Sequence, residues 1–170
     1  MESIVRLSSL KISNIKNVRT GQIVMPCTCQ KHLTYKTAEV LGLYGQNGSG
    51  KTAVIDTLYY LQKIMIGCTL EEEIEDYIDA GSNQAEIMAD FNIFIETVIY
   101  EVCYRIILQR SGHGANIAQE TLSCAISKDD YRSNKTVFMD YRRSNRETVF
   151  IPKKRLDEIV EANAENKTDL

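Results

Sequence analysis

The 170-residue chain contains no tryptophan and only two prolines, Pro26 and Pro152. So few prolines leave room for long uninterrupted helices and strands, and no Pro/Gly-rich linker divides the chain. Internal repeats and low-complexity tracts are also absent from the sequence. With 44% hydrophobic and 25% charged residues, the composition predicts one globular domain with a substantial core and excludes a disordered chain.

Long apolar runs are missing as well. No stretch approaches the roughly 20 apolar residues that span a bilayer, and the opening MESIVRLSSLKI lacks the pattern of a signal peptide. A formal net charge of −3 excludes an overall basic coat for nucleic acid, although it leaves a local basic patch open. We therefore expect a cytoplasmic protein without membrane contact.

The five cysteines are odd in number and widely spread, which argues against a disulfide framework. Cys27, Cys29 and His32 lie close together in PCTCQKH. A zinc site needs further ligands at set spacing, and no second cluster supplies them. We interpret the three side chains as part of a polar loop.

Apolar patterning in the first half predicts a strand over about 4–12 and a second strand ending before Pro26. The short apolar run at 40–44, bounded by glycine, predicts a strand buried on both faces. Beyond it, Val54, Leu58, Leu61 and Met65 recur at helical spacing. We expect an amphipathic helix there, with Gly67 as its C-cap.

The second half is rich in predicted strands. Residues 71–101 hold ten acidic residues and no Lys or Arg, and they begin with a short acidic helix. Alternating apolar residues then predict strands joined by turns near 96–97 and 111–114. We interpret the acidic residues as a solvated helix and strand edges rather than a metal site.

The charge reverses in residues 128–155, where nine Lys or Arg residues stand against four Asp or Glu residues. This segment is a candidate surface for DNA or a partner, and the alternative that we favour is a solvated face with scattered charges. We expect one folded lobe over 1–155, which is the ATP-binding lobe if the motif described next binds a nucleotide, and a helical, then polar, tail over 156–170. That tail has no capping stop and reads as an element of a longer protein.

One motif carries chemistry. It fits G-x-x-x-x-G-K-[ST], the phosphate-binding loop of P-loop nucleotide hydrolases, and its residues are Gly45, Gln46, Asn47, Gly48, Ser49, Gly50, Lys51 and Thr52. A candidate strand precedes the loop and a candidate helix follows it, as the motif requires. The alternative is a chance glycine turn before a helix.

The spacing has a physical reason. The glycines let the backbone approach a phosphate closely, and successive N–H groups from about Asn47 to Thr52 form an anion nest. The following helix adds the positive end of its dipole. Lys51 supplies a positive charge to the β- and γ-phosphates, and the Thr52 hydroxyl is placed to coordinate Mg²⁺.

The loop has the G-x-N-G-x-G-K-[ST] form, and it resembles that of ABC-type ATPases, including the SMC, RecF and OLD-like families. The opening Leu10-Lys11-Ile12-Ser13-Asn14-Ile15-Lys16-Asn17 is similar to their first strand, L-x-I-x-N-F-[KR], with Ile15 in place of the usual aromatic residue. The segments Tyr100-Glu101-Val102 and Gln119-Glu120-Thr121-Leu122 resemble the antiparallel β region of OLD-like AAA-family ATPases. The resemblance covers about residues 5–150.

This resemblance implies an α/β fold, the N-terminal lobe of an ABC-type P-loop nucleoside triphosphate hydrolase with an antiparallel β subdomain. It implies ATP and Mg²⁺ as cofactors and places Lys16 near the phosphates, where the alternative is a solvated surface lysine. It implies a C-terminal ATPase lobe and a second copy as partners, with ATP sandwiched between copies. The output in such families is DNA repair, chromosome handling or phage defence.

A Walker B strand, four apolar residues followed by Asp-Glu, is missing. The nearest candidates end at Asp90 and Asp140, which are followed by Phe91 and Tyr141, and we interpret both as ordinary strand residues. No ABC signature motif and no catalytic residue is identifiable. Nucleotide sensing without turnover is therefore an alternative to ATP hydrolysis.

Two other classes of nucleotide-binding protein are alternatives to an ABC-type ATPase. Asn166-Lys167-Thr168-Asp169 spells the guanine-reading N-K-x-D motif of GTP-binding proteins, but it follows a polar helical stretch and no D-x-x-G motif exists. Arg132, Arg142, Arg143 and Arg146 could form the lid of a small-molecule kinase, although the β-rich half argues against that class.

Overall fold

An antiparallel sheet organises the computed structural model, which describes residues 3–26, 40–70, 72–112, 114–128, 131–144 and 147–150. Within these residues the sheet order is β2-β1-β3-β4-β5-β7-β8, and β6 pairs with β5. The strands are β1 (Ser3–Ile15), β2 (Val18–Val24), β3 (Gln84–Ile95), β4 (Val98–Arg110), β5 (Ala115–Lys128), β6 (Tyr131–Arg132), β7 (Thr136–Arg142) and β8 (Glu147–Phe150). Helix α1 (Lys51–Met65) and a 3-10 helix (Glu72–Tyr77) pack on one face.

Alternation along the central strands produces that face. Ile87 on β3 lies opposite Ile106 on β4, and both side chains are almost fully buried. Their neighbours in sequence point to the opposite face, because successive side chains alternate across a strand. The predicted β hairpin is confirmed, with its turn at residues 96–97. Glu96 takes a φ of 55°, the left-handed conformation that such tight turns require.

The helix after the loop is confirmed, but its predicted buried face is wrong in part. Leu61 is buried as expected, whereas Met65 is 54% exposed. The buried stripe runs instead through Ala53, Thr57, Tyr60, Leu61 and Ile64. Thr57 tolerates burial because its hydroxyl donates a hydrogen bond of 2.6 Å to the carbonyl of Ala53.

Helix α1 ends at Met65, and the predicted terminating glycine, Gly67, directly follows the C-cap residue Ile66. This glycine has a φ of 75°, and its N–H donates to the carbonyl of Ile64 at 3.0 Å. The N–H of Cys68 donates to the carbonyl of Lys63 at 2.9 Å. These two bonds form a Schellman motif, which satisfies carbonyls at the end of the helix.

The strand predicted at 40–44 is not formed. These residues have no strand partner, and Val40 and Tyr44 are 91% and 94% exposed. A strand buried on both faces needs hydrogen-bonded neighbours and covering layers, and the described part of the chain places neither around this segment. The fold of an ABC-type hydrolase lobe stays a prediction, because the described residues form a mostly antiparallel sheet with one α-helix.

Several predictions lie outside the described residues. They concern the polar loop with Cys27, Cys29 and His32, the tail over 156–170, and the N-K-x-D sequence that begins at Asn166.

Candidate nucleotide-binding site

The predicted phosphate loop connects the exposed segment 40–44 to helix α1. Its tip turns at residues 47–50, where the N–H of Ser49 donates to the carbonyl of Gln46 at 3.2 Å. Gly48 and Gly50 have φ angles of 84° and 89°, a region that favours glycine. A Cβ on Gly50 would lie 2.5 Å from the Cγ2 of Val18, so glycine is also needed there for close approach to the sheet.

The first turn of α1 faces this loop without a side-chain cap. Gly50 is the N-cap residue, it offers no side-chain hydrogen bond, and no acidic residue occupies the first turn. The N–H groups at the start of the helix therefore have no side-chain acceptor from these positions. Together with the helix dipole, they form an environment that favours an anion.

The ammonium of Lys51 lies over the loop. It donates to the carbonyl oxygens of Gly45 and Gln46 at 2.6 Å and 2.7 Å, and it lies 3.3 Å from the Oγ of Ser49. All of these contacts are solvent-exposed. The loop thus holds a positive charge at its own centre, which is the place where the motif predicts the triphosphate.

The turn between β1 and β2 contacts both the loop and α1. The Lys16 ammonium forms an ion pair with the Asp56 carboxylate and lies 4.4 Å from the centre of the Tyr77 ring. The side-chain amide of Asn17 donates to the carbonyl of Gly48 at the loop tip. Lys16 therefore lies near the start of α1, but its charge is engaged by Asp56.

The other predicted site residues are exposed. Gln46, Asn47 and Thr52 all lie on the solvent-accessible side of the loop or of the first helical turn. A cavity of about 310 Å³ opens between the loop and the β1–β2 hairpin, and its lining includes Lys51, Gly50, Thr20 and Gln22. The described part of the chain holds no cluster of three or more His, Cys, Asp or Glu side chains that would bind a metal.

The two Walker B candidates lie on the sheet face opposite α1. Asp90 follows the buried Ala89 on β3, accepts a 2.7 Å hydrogen bond from the Ser9 hydroxyl and lies 4.0 Å from the Lys135 ammonium. Asp140 pairs with Arg142 on the same strand at 3.2 Å. Both carboxylates are engaged by these contacts and point away from the loop.

Most of the described Lys and Arg side chains of the basic segment 128–155 form ion pairs. Arg132 binds the Glu101 carboxylate through two nitrogens, in addition to the Lys135–Asp90 and Arg142–Asp140 pairs. The arginines that we considered for a kinase lid lie on β6, on β7 and in the turn after β7, except for Arg146, which is outside the described residues. These positions are spread along sheet strands rather than gathered on a helical lid.

Sequence reasoning missed Asn17, Asp56 and Tyr77. They lie 31, 40 and 61 positions from their partners Gly48, Lys16 and Lys16, and no local pattern predicts contacts at such separations. One signal was present for Asp56, which follows Thr52 by four residues and so lies on the same side of the helix.

One of the comparisons found a partial similarity to a protein of the families named above. The DNA replication and repair protein RecF of Deinococcus radiodurans is 34% identical over 86 residues, which cover 51% of this chain and 20% of that protein. The match thus spans about a fifth of the relative's length. No family model matches the chain. The chain is therefore similar in part to RecF, an ABC-type ATPase of the SMC/RecF family. Among the described residues, no helix is long and apolar enough to cross a membrane.

Proposed function

We propose that this chain is the ATP-binding N-terminal lobe of an SMC/RecF/OLD-like ATPase. The observation that carries the proposal is the loop, in which the Lys51 ammonium and the uncapped start of α1 converge on one solvent-open position. The partial similarity to RecF supports the same class. We also propose that the protein acts in the cytoplasm, because ATP is abundant there.

The residues present fit a magnesium triphosphate. The open space beside Gly48 leaves room for phosphate oxygens, because a Cβ built there has no neighbour within 4 Å. Lys51 would exchange its bonds to Gly45 and Gln46 for bonds to the β- and γ-phosphates. The Thr52 hydroxyl would hold Mg²⁺, which neutralises charge on the same phosphates when it is bound.

An exposed apolar surface supports a further ATPase lobe as partner. Ile55 and Tyr59 on the outer side of α1 and Ile66 at its C-cap are 58%, 48% and 69% exposed. Exposed apolar patches of this kind mark interaction sites in soluble proteins. We propose that the C-terminal ATPase lobe covers this face and that a second copy closes over ATP.

Hydrolysis is proposed for the assembled protein, and nucleotide sensing without turnover for this chain by itself. Asp90 and Asp140 point away from the loop, so neither polarises a water at the γ-phosphate. DNA repair, chromosome handling or phage defence is the proposed output. DNA contact through residues 128–155 would have to compete with the ion pairs that Arg132, Lys135 and Arg142 already form.

Replacing Lys51 by alanine tests the site. Removing the ammonium from the triphosphate should weaken ATP binding at least about a hundredfold, because a charge-assisted contact contributes roughly 1.5–3 kcal/mol and the lysine can make more than one. The measurement is calorimetric titration with ATP and Mg²⁺, and Lys63→Ala at the far end of α1 is the matched control. Equal affinity of the Lys51 variant and the wild type would contradict the proposal.

Competition with GTP and release of phosphate test the alternatives. We expect ATP to displace labelled GTP, and we expect no phosphate release above background from the 170-residue chain. A clear preference for GTP would favour the GTP-binding class and the Asn166–Asp169 motif. Steady turnover by this chain would contradict the assignment of the catalytic carboxylate to another lobe.

A further inference from the structure

The β1–β2 turn is a rigid support beside the phosphate loop. Lys16 takes a φ of 50°, its N–H donates to the carbonyl of Tyr77 at 2.6 Å, and its ammonium pairs with Asp56. On the preceding residues, Ile15 bridges to Ile78 and the carbonyl of Asn14 accepts from the N–H of Asp79. The turn is therefore tied to the 3-10 helix and to α1 at once.

Asn17 connects this support to the loop tip. Its side-chain amide donates to the carbonyl of Gly48, while the N–H of Ser49, in the same peptide unit, donates to the carbonyl of Gln46 inside the loop. A trans peptide points its C=O and its N–H in opposite directions. Holding the carbonyl toward Asn17 therefore holds the Ser49 N–H toward the interior of the loop.

This orientation matters because the 48–49 peptide begins at a glycine, and a second glycine follows Ser49. Gly48 and Gly50 have positive φ angles, and Gly48 has no neighbour near its Cβ position that would resist rotation. Glycine backbone moves readily between left- and right-handed regions. A rotated peptide would turn the Gly48 carbonyl toward the bound phosphates, and its partial negative charge would repel them.

We propose that Asn17 is a positioning residue of the nucleotide site, which fixes the 48–49 peptide so that the Ser49 N–H points into the loop, where it would exchange its bond to the Gln46 carbonyl for one to the triphosphate. The inference rests on the proposed function, because it concerns the same loop. Asn17 acts through Gly48 and does not itself reach the phosphates. Its contribution is to keep a flexible glycine peptide in its anion-binding orientation.

The test compares two asparagines of the same chemistry. In Asn17→Asp the side chain keeps its size and loses its donor, and in Asn17→Ala it loses the bond without gaining charge. Asn14→Asp is the matched control, because Asn14 also donates to a backbone carbonyl, that of Gln84 at 3.2 Å, but does not contact the loop. All variants are made in the 170-residue chain and titrated with ATP and Mg²⁺.

We expect Asn17→Ala to weaken ATP binding about fivefold and Asn17→Asp about tenfold or more, as expected for one lost hydrogen bond and, in the second case, added repulsion. Asn14→Asp should change the affinity less than twofold. The thermal midpoint of each nucleotide-free Asn17 variant should match that of the wild type. Equal affinity of wild type and both Asn17 variants would overturn the inference, and so would an equal loss in the Asn14 variant.

A spectroscopic readout separates positioning from a general loss of structure, and its first part needs only the wild type. In the wild type, ATP should shift the backbone amide resonance of Ser49 strongly, and in Asn17→Ala this shift should be smaller. Without nucleotide, the Ser49 amide hydrogen of Asn17→Ala should exchange with solvent faster than that of the wild type. An unshifted Ser49 resonance in ATP-bound wild type would overturn the inference and leave the proposed function intact. If the wild type bound no ATP at all, the proposed function itself would fail.

Discussion

The β3–β4–β5 sheet and the phosphate loop are held by different forces. In the sheet, side chains such as Ile87, Ile106 and Leu108 are 1% exposed or less, and the strands pair over their whole length. In the loop, Gln46 to Ser49 are exposed. The contacts described above are hydrogen bonds that Lys51 and Asn17 donate to carbonyl oxygens of the loop. Burial specifies the sheet, whereas backbone geometry specifies the loop.

This difference separates stability from binding. A buried aliphatic side chain contributes to the free energy of unfolding through the area that it removes from water. A phosphate loop must leave its N–H groups accessible, so its residues contribute little burial. We therefore expect changes in the sheet to alter the folded fraction and changes in the loop to alter the affinity for ATP.

The largest expected effect on stability is from Ile106→Ala. Ile106 is fully buried between the sheet and its covering helices, so the cavity should lower the free energy of unfolding by about 2–5 kcal/mol. Urea unfolding measures this loss, with Ile55→Ala on the exposed side of α1 as control. The folded fraction of Ile106→Ala should bind ATP with the affinity of the wild type. A weaker affinity for ATP in fully folded Ile106→Ala would contradict the separation of stability from binding.

An intermediate effect is expected from Asp56→Asn. Neutralising the carboxylate removes the ion pair of Lys16, whose side chain is 32% exposed, so the free energy of unfolding should fall by less than about 1 kcal/mol. If the freed ammonium reaches the phosphates, the affinity for ATP should rise several-fold, and Lys16→Ala should lower it. Unchanged affinity in both variants would show that Lys16 serves only as a tether between the turn and α1.

A comparably small effect on stability is expected from Tyr104→Phe, and it depends on pH. Burial, and then the hydrogen bond to the Glu120 carboxylate, raise the pKa of Tyr104 above its ordinary value. The phenol therefore contributes stability that is fully present below pH of about 10, the pKa of an unfolded tyrosine, and that declines as the pH rises further.

The phenylalanine variant should be less stable than the wild type by about 1 kcal/mol at pH of about 8. This deficit should shrink above pH of about 10, because only the wild type must keep a buried phenol protonated there. Urea unfolding at the two pH values measures the deficit. A deficit that grows with pH would contradict the assigned direction.

Local patterns predicted the elements whose reasons are local. Alternation located the β hairpin, and a glycine after a helical run located the end of α1. The buried face of α1 was misplaced because apolar spacing does not count Ala53 or Thr57, although both are buried. The apolar run at 40–44 predicted a strand, but a strand also requires neighbours that no local pattern supplies.

The candidate site divides in the same way. Its eight loop residues were evident from glycine spacing, because the geometry of a phosphate cradle is encoded within a short segment. The contacts that support the loop, Asn17 with Gly48 and Asp56 with Lys16, join residues 31 and 40 positions apart. They depend on how the sheet packs against α1. Without the structure, these two residues look like ordinary polar positions.

The oxygen shell around the Lys51 nitrogen has a consequence for ligand choice. The ammonium already has three oxygen neighbours from its own loop, so an arriving ligand replaces one set of oxygens with another. Ionised phosphoryl oxygens attract it more strongly than neutral carbonyls do, whereas a bare nucleoside offers no gain in this exchange. In the proposed site, the loop would therefore discriminate against dephosphorylated nucleosides through ligand exchange at one nitrogen, without a steric gate.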